Sequence, residues 1–592
     1  MNSRGESHLL RSSRLVTALA AAALAVGGCD LNVENPNAPD KTRAFADPAG
    51  LAKVISGAFR NWVGARGSYF GALTMTAMAD NYTASWNNAA IRFYNSVGVD
   101  CPSRCGWTNS ATAPEAAGGP TVEGQWYGYY TVLVGANAVL AGIKNGVCFD
   151  DDCKVDSTLT VRNRAIAKML QGMALAGIAM IYDQGFIADE TTDLLNISAI
   201  PFSTRAEVRD AALQKLEEAR TEAGITTWTT KKEDNWTGVG SGKEYTNTQI
   251  RQLIRTMQAE LVAMWPRNAT ENAAADWAAV ANYASQGVSS GTPFDWEYYV
   301  DITGRECGDL DCVKNWGNSI GTMRVDTRVA AMITTNHVSP WPVPNGNPCP
   351  TTGPDKRVGD GSYGKVDDPA NFATVKATAN AGTDFACSGV AIFPPARGSY
   401  HQSNLQHVRY SRLASRGENT PGGTEDGTGQ DPFYTTQMND LLWAEGLIRS
   451  GGNLAQAAQL INNRRVGRGG LAALTGAEGV PALLTALQYE QEIEFMGQGA
   501  TPFFNRRRID GFSLGSLGPS VVQTGTPRQM PVPAKELDVL QRSIYTFGGP
   551  SAPDMSTTVG WGSGGSGSVR KSVGQTWQEY LALQRELSRR RN

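Results

Sequence analysis

The stretch TTQMNDLLWAEGLIRSGGNLAQAAQLINNRR, Thr435 to Arg465, reads as two helical segments meeting at a glycine turn. Thr435 to Arg449 and Leu454 to Arg465 are split at Gly451-Gly452, a pair that ends a helix and marks a turn. A second pair of the same kind runs from Thr248 to Trp265 and from Ala274 to Gln286, split by Pro266. Helix pairs recurring along a chain predict stacked tetratricopeptide-like units, here without a strict sequence period. The alternative at this level is a generic helical globule.

Outward from these pairs the helical pattern continues. Pro48 to Val63 carries Leu51, Val54, Ile55, Ala58, Phe59 and Trp62 at spacings of three and four. Gly71 to Asp80 is a further helix candidate. Val122 to Ile143 places Trp126, Tyr130, Leu133, Val134, Asn137 and Leu140 on one stripe. Arg162 to Tyr182 is rich in alanine, so another helix can approach it closely, and its charges mark it as a buried helix, not a membrane span. Thr204 to Ala223 opens with a hydroxyl cap, and Val480 to Met496 is the last helix of the body. Between about Ser289 and Pro432 helical periods fade and Gly, Pro, Asn, Asp and Thr dominate, as in a loop-rich binding lobe. The predicted fold class is therefore all-α, a tetratricopeptide-like helical-pair scaffold with a large irregular lobe.

The chain begins as an exported lipoprotein would. Arg4, Arg11 and Arg14 precede a short apolar run, Leu15 to Val26, and then Val26-Gly27-Gly28-Cys29. The run is too short to span a bilayer, and small residues before a cysteine predict cleavage after Gly28 and lipid attachment to Cys29. The expected organisation is an export signal over 1–28, a polar tether over 29–47 and a helical body over 48–547, with the irregular lobe at about 289–432. A Gly/Ser linker with a final helix follows over 548–592. Removing the signal takes the formal charge from −3 to about −5. With no basic excess to neutralise phosphates, nucleic acid is not an expected partner.

Eight of the nine cysteines remain for an oxidising compartment. They fall as Cys101/Cys105, Cys148/Cys153, Cys307/Cys312 and Cys349/Cys387, and the simplest pairing joins each to its neighbour. The spacings are not those of a zinc site, and only His337, His401 and His407 follow the signal, so no metal and no cofactor is expected. Asp150-Asp151-Asp152 and Glu306, Asp309 and Asp311 read as solvated turns, since neither spacing makes a calcium loop. Gly238 to Lys243 superficially looks like a phosphate loop but lacks its spacing. No nucleophile–base arrangement is legible, so no catalytic residue is nominated.

Four segments carry a family resemblance. After Cys29 come Asp30-Leu31-Asn32 and Asn35-Pro36-Asn37, then Ile55-Ser56-Gly57-Ala58-Phe59. Trp126, Tyr130 and Ala136-Asn137-Ala138-Val139-Leu140 share one helix. Leu442-Trp443-Ala444-Glu445-Gly446 precedes Ile461-Asn462-Asn463-Arg464-Arg465. Tyr489-Glu490-Gln491-Glu492-Ile493-Glu494-Phe495 precedes Arg507-Arg508 and Arg528-Gln529-Met530-Pro531-Val532-Pro533. In this order they resemble the SusD/RagB family of outer-membrane nutrient-binding lipoproteins. The resemblance implies an all-helical body, a lobe carrying most of the ligand surface, a place on the outer membrane facing outward, and a SusC-type TonB-dependent transporter as partner. Within the motifs, Glu445 is expected to pair with Arg464 or Arg465, and Glu490 or Glu494 with Arg506 to Arg508, as buried charges must be paired.

A glycan site needs aromatic faces beside planar polar groups. Asp80, Asn81, Trp86, Asn88, Arg92 and Trp107 supply that mixture near one cysteine pair, and Trp296, Tyr298 and Trp316 form a second candidate. Composition thus favours a non-enzymatic binder of an oligosaccharide, with a peptide as the other ligand. A glycan-cleaving lipoprotein and a tetratricopeptide-type assembly scaffold are the competing readings.

Overall fold

The computed structural model describes residues 47–68, 70–84, 91–95, 104–110, 121–192, 200–301, 311–318, 323–333, 354–358, 384–387, 403, 405–410, 413, 428–509, 522–523, 525–548 and 559–560. The expected export signal, the expected tether up to residue 46 and the expected last helix lie outside these residues, as do Cys29, Cys101, Cys307 and Cys349.

Helix α1 (Pro48–Arg66) starts where Asp47 accepts hydrogen bonds from the backbone N–H groups of Ala49 and Gly50, with proline at the first helical position. It is followed by α2 (Glu123–Lys144), α3 (Thr158–Ile181), α4 (Arg205–Glu222), α5 (Asn247–Met264), α6 (Trp277–Ser285), α7 (Thr436–Arg449), α8 (Leu454–Arg465), α9 (Val480–Glu494) and α10 (Thr501–Arg508). Each helix from α1 to α6 packs on the next in chain order, and α7 packs on both α8 and α9. This is the expected helical stack. Thr204 and Glu207 close a capping box at α4, and Thr246 and Gln249 close another at α5. The helix expected from Ala274 begins later, at Trp277, because Asp276 caps it by accepting from Ala279 N. Val134, expected on the buried stripe of α2, faces outward.

Helix α3 alone among the described helices is long and apolar enough to cross a membrane, but it is buried between α2 and α4. Its small residues allow this. A Cβ at Gly177 would lie 2.5 Å from the Tyr129 ring of α2, and one at Gly172 would lie 2.6 Å from Leu216 of α4.

The lobe is an insertion between α6 and α7, yet these two helices pack together as if it were absent. A Cβ at Gly446 of α7 would sit 2.6 Å from the backbone nitrogen of Ala281 in α6, so the crossing requires glycine. Asn439 secures it: its side chain donates to Ala284 O at 2.8 Å and accepts from Thr256 Oγ1 of α5 at 2.8 Å. The lobe's described strands pair in twos, one of them with a strand from outside it: β1 (Tyr82–Ala84), between α1 and α2, with β3 (Met323–Val325), β2 (Trp296–Asp301) with β6 (Thr428–Tyr434), and β4 (Phe385–Cys387) with β5 (Leu405–His407). Every described strand pair is antiparallel, and an isolated bridge between Tyr182 and Met530 is parallel. The Gly238 to Lys243 loop lies against β2, with Tyr299 N donating to Thr237 O at 2.7 Å and Gln430 donating to Ser241 O at 2.8 Å; it supports a strand.

Buried charges tie the stack to the lobe. Arg66 of α1 pairs with Glu260 of α5 at 2.6 Å and lies over the Trp62 and Tyr434 rings. The three arginines of α10 diverge. Arg508 forms a two-pronged pair with Glu445 of α7 at 2.8 and 2.6 Å. Arg507 donates to the carbonyls of Met180, Met264 and Arg528, closing the C-terminal ends of α3 and α5. Arg506 lies close to the charges of Glu492, Asp80 and Asp326. On α9, Glu490 and Glu494 hold Arg357 of the lobe at 2.7 and 3.2 Å, Glu494 holds Arg409 at 2.6 Å, and Glu492 holds Arg328 at 2.5 Å.

Two expected pairings are corrected here. Glu445 meets Arg508 and Arg449 in place of Arg464 or Arg465, and Glu490 and Glu494 meet lobe arginines instead of those of α10. Positions 490 and 494 lie one turn apart on a single helix face, and that face is the one the lobe covers. Their scaffold role stands as expected.

Burial alone would raise the Glu445 carboxyl, but Arg508 and Arg449 outweigh it and hold it near 2, against an ordinary 4.5. A carboxylate whose pKa is depressed in the folded state stabilises the fold at neutral pH and loses that contribution as pH falls from about 4.5 towards 2. Glu445→Ala leaves Arg508 buried without its counter-charge. It should cost ~3–5 kcal/mol in urea unfolding at pH 7, with the gap to the parent chain closing below about pH 3; equal midpoints at pH 7 would contradict the pairing.

Candidate functional site

The residues nominated from composition divide into buried and undescribed. Asp80 is wholly buried and pairs with Arg104 at 2.5 Å, while Asn81 donates to Glu492 at 3.3 Å. Trp107 is buried against Tyr94, with ring centres 5.1 Å apart. Trp296 packs among Phe59, Trp62, Phe433 and Tyr434 at ring separations of 5.6 to 6.2 Å. Tyr298 and Trp316 are buried as well. These six side chains are core, a correction to their nomination as ligand contacts. The cause is local: β2 is paired on one edge with β6, and its alternate residues Trp296, Tyr298 and Val300 point inward. Trp86 and Asn88 lie outside the described residues, and of Arg92 only the backbone is described.

A disulfide joins Cys148 and Cys153 in the loop before α3. Cys105 and Cys312 are also disulfide-bonded. In the same loop Asp150 accepts from the N–H groups of Leu159 and Thr160 at 3.1 and 2.9 Å, so its carboxylate is used as a helix cap.

The concave site lies elsewhere, at the root of the lobe. The chain leaves the stack after α6 through Ser290, Pro293, Phe294 and Asp295, and returns at Thr436, Gln437 and Asp440 of α7. Asn463 and Arg464, at the end of α8, close the third side. Together they line an open cleft of about 470 Å³, within the range of small-ligand sites. Phe294 and Asp295 belong to the second segment singled out from sequence; the other residues do not.

The cleft is held by its own hydrogen bonds. Thr436 N donates to Asp295 Oδ1 at 2.8 Å, and Thr436 Oγ1 donates to Phe294 O at 3.2 Å, which fastens the outgoing strand to the returning helix. Asp440 Oδ1 accepts from Ser290 N at 3.3 Å, and its Oδ2 accepts from Asn463 Nδ2 at 3.1 Å. Asn463 Nδ2 also donates to Ser290 Oγ at 3.1 Å. Burial raises the Asp440 carboxyl above its ordinary value, although these donors and Arg464 oppose the shift.

Arg464 is unlike its neighbours. Arg357, Arg409, Arg465 and Arg468 each have a carboxylate within ion-pair distance, drawn from Asp355, Asp384, Glu490 and Glu494. Among the described residues Arg464 has none. Burial lowers its affinity for a proton, and Glu494 and Asp295 act against that from a distance; a guanidinium remains charged under such a shift. Gln437 Oε1 is buried in the same wall without a donor. The cleft therefore offers a guanidinium, an amide, a carboxylate oxygen and an aromatic ring whose bonding capacity the protein leaves open. No sequence signal marks this set, because each member is an ordinary polar residue at a helix end.

No family model and no curated protein matches this chain. Its fold is that of SusD-like structures. A SusD-like protein from Bacteroides fragilis matches with a TM-score of 0.51 at 14% identity, over 79% of this chain and 87% of that one. A SusD superfamily protein from Parabacteroides distasonis matches with a TM-score of 0.52 at 11% identity, over 83% of this chain and 97% of that one. At such identities the likeness is one of fold: an all-helical stack carrying an irregular lobe.

Because Trp296 is core, Trp296→Ala should lower stability by ~3–5 kcal/mol in denaturant unfolding. A fully stable Trp296→Ala protein would return Trp296 to the surface.

Proposed function

We propose that this chain is a lipid-anchored protein of the outer membrane, facing outward, that binds an oligosaccharide and passes it to a SusC-type TonB-dependent transporter without a covalent step. The observation that carries the binding reading is the cleft at the root of the lobe. Its two carboxylates are fixed by the Asp295–Thr436 and Asp440–Asn463 hydrogen bonds before any ligand arrives, which lowers the ordering that opposes binding. Sugars present hydroxyls that donate and accept together, and CH faces that lie on aromatic rings; Arg464, Gln437, Asp295 and Phe294 suit both. The SusD-like fold supports the same reading, and the Cys29 signal supports the anchor. A peptide is the second ligand class to be screened.

One observation favours the competing reading of glycan cleavage: two carboxylates, Asp295 and Asp440, line one cleft. A general acid needs a protonated oxygen free to reach the leaving group. Both Asp440 oxygens instead accept hydrogen bonds from Ser290 and Asn463, which fits an anchoring group better than an acid.

A glycan and peptide binding screen on the soluble form lacking residues 1–29 tests the proposal. Wild-type protein should bind at least one oligosaccharide, and Arg464→Ala should weaken it about tenfold, the effect of losing one charge-assisted hydrogen bond. Unchanged affinity would remove the cleft as the site. In a Gram-negative host, Cys29→Ala should shift the protein from the membrane fraction to the soluble one; retention on the membrane would refute the anchor.

A further inference from the structure

We infer that the cleft takes a neutral sugar residue through a pair of neighbouring hydroxyls, one donating to Asp295 and one accepting from Arg464, and that it rejects the same sugar carrying a carboxylate. The inference rests on the glycan reading above and adds the class of sugar.

The reasoning is a count of open valences. Asp295 Oδ1 is taken by Thr436 N, while Asp295 Oδ2 accepts no hydrogen bond from a described residue. Both oxygens of Asp440 are taken. Gln437 Oε1 is buried without a donor. Arg464 donates to no described side chain or carbonyl, although it is partly desolvated. A ligand that covers the cleft strips water from Asp295 and Arg464, and each must recover a partner or its desolvation cost stands against binding, whereas Gln437 Oε1 is out of water already. Asp295 needs a donor, and Arg464 needs an acceptor. Hydroxyl groups supply both roles at once.

A carboxylate supplies only acceptors. It could satisfy Arg464, but it would leave Asp295 Oδ2 without a donor and place a third negative charge beside Asp295 and Asp440. Around Arg464 the acids Glu494 and Asp295 are set against the cations Arg409 and Arg468, so its surroundings add no excess of positive charge to attract an anion. The geometry thus makes Arg464 a hydrogen-bond donor balanced by its own neighbours, and Asp295 the residue that sets the choice of sugar. Asp440 acts as a positioning residue through Asn463 and Ser290.

The test uses the full-length protein in detergent and isothermal titration. The probes are malto-, cello- and manno-oligosaccharides of six residues, each with its counterpart oxidised to the uronate at C6. At least one neutral series should bind, with its uronate form about tenfold weaker or worse. Asp295→Asn keeps an oxygen acceptor for Thr436 N, so its unfolding midpoint should match the parent. It should weaken the neutral sugar about tenfold and shrink the preference over the uronate. Arg464→Gln should weaken both forms. Equal or tighter binding of the uronate by the parent protein overturns the inference, as does an unchanged preference in Asp295→Asn; either result leaves the glycan reading standing. Binding of no oligosaccharide in either form removes the glycan reading itself, and this inference with it.

Discussion

The structure depends on how it satisfies charges that it has taken out of water. Helices α9 and α10 carry Glu490, Glu492, Glu494, Arg506, Arg507 and Arg508, all buried. An unpaired charge in such a place costs several kcal/mol, so each fixes the position of whatever answers it. Glu490 and Glu494 bring in Arg357 and Arg409, Glu492 brings in Arg328, and Arg508 reaches Glu445. Arg507 needs no acid because the free carbonyls at the ends of α3 and α5 converge on it. A stack of helices and a lobe poor in regular structure are thereby held in one arrangement by a few directional contacts.

The same constraint explains where the cleft is. The lobe is inserted between two helices that pack on each other, so its outgoing and returning segments must lie side by side. Their polar backbone ends are tied by Asp295 to Thr436 and by Ser290 to Asp440. Nearby, Asp355, Asp384, Glu490 and Glu494 pair with Arg357, Arg409, Arg465 and Arg468, which leaves Arg464 at the cleft without an ion-pair partner among the described residues. A site with fixed acceptors and one open cation follows from the way the insertion is anchored.

Much of the scaffold was legible in the residues. Helix α8 has the bounds its pattern predicts, α1 begins at the expected Pro48 and α4 at the hydroxyl cap expected of Thr204, while α5 starts one residue before the expected Thr248 because Thr246 caps it. The strand β6 was not legible, since Thr428-Gly429-Gln430-Asp431-Pro432 carries no apolar alternation. The candidate site was misread for a related reason. An aromatic residue in loop-rich sequence looks the same whether it stacks on a ligand or fills a core, and Trp296 and Trp107 do the second.

What the sequence determined by itself is therefore local: helical period, capping, and the glycine and proline turns, all set by residues near one another in the chain. What only the tertiary structure decided is pairing over distance. Glu445 is answered by Arg508, 63 residues away, rather than by the arginines of the next helix, and Asp295 meets Thr436 across the whole lobe. A buried charge accepts any well-placed partner, and which partner arrives depends on helix packing that no short stretch of sequence encodes.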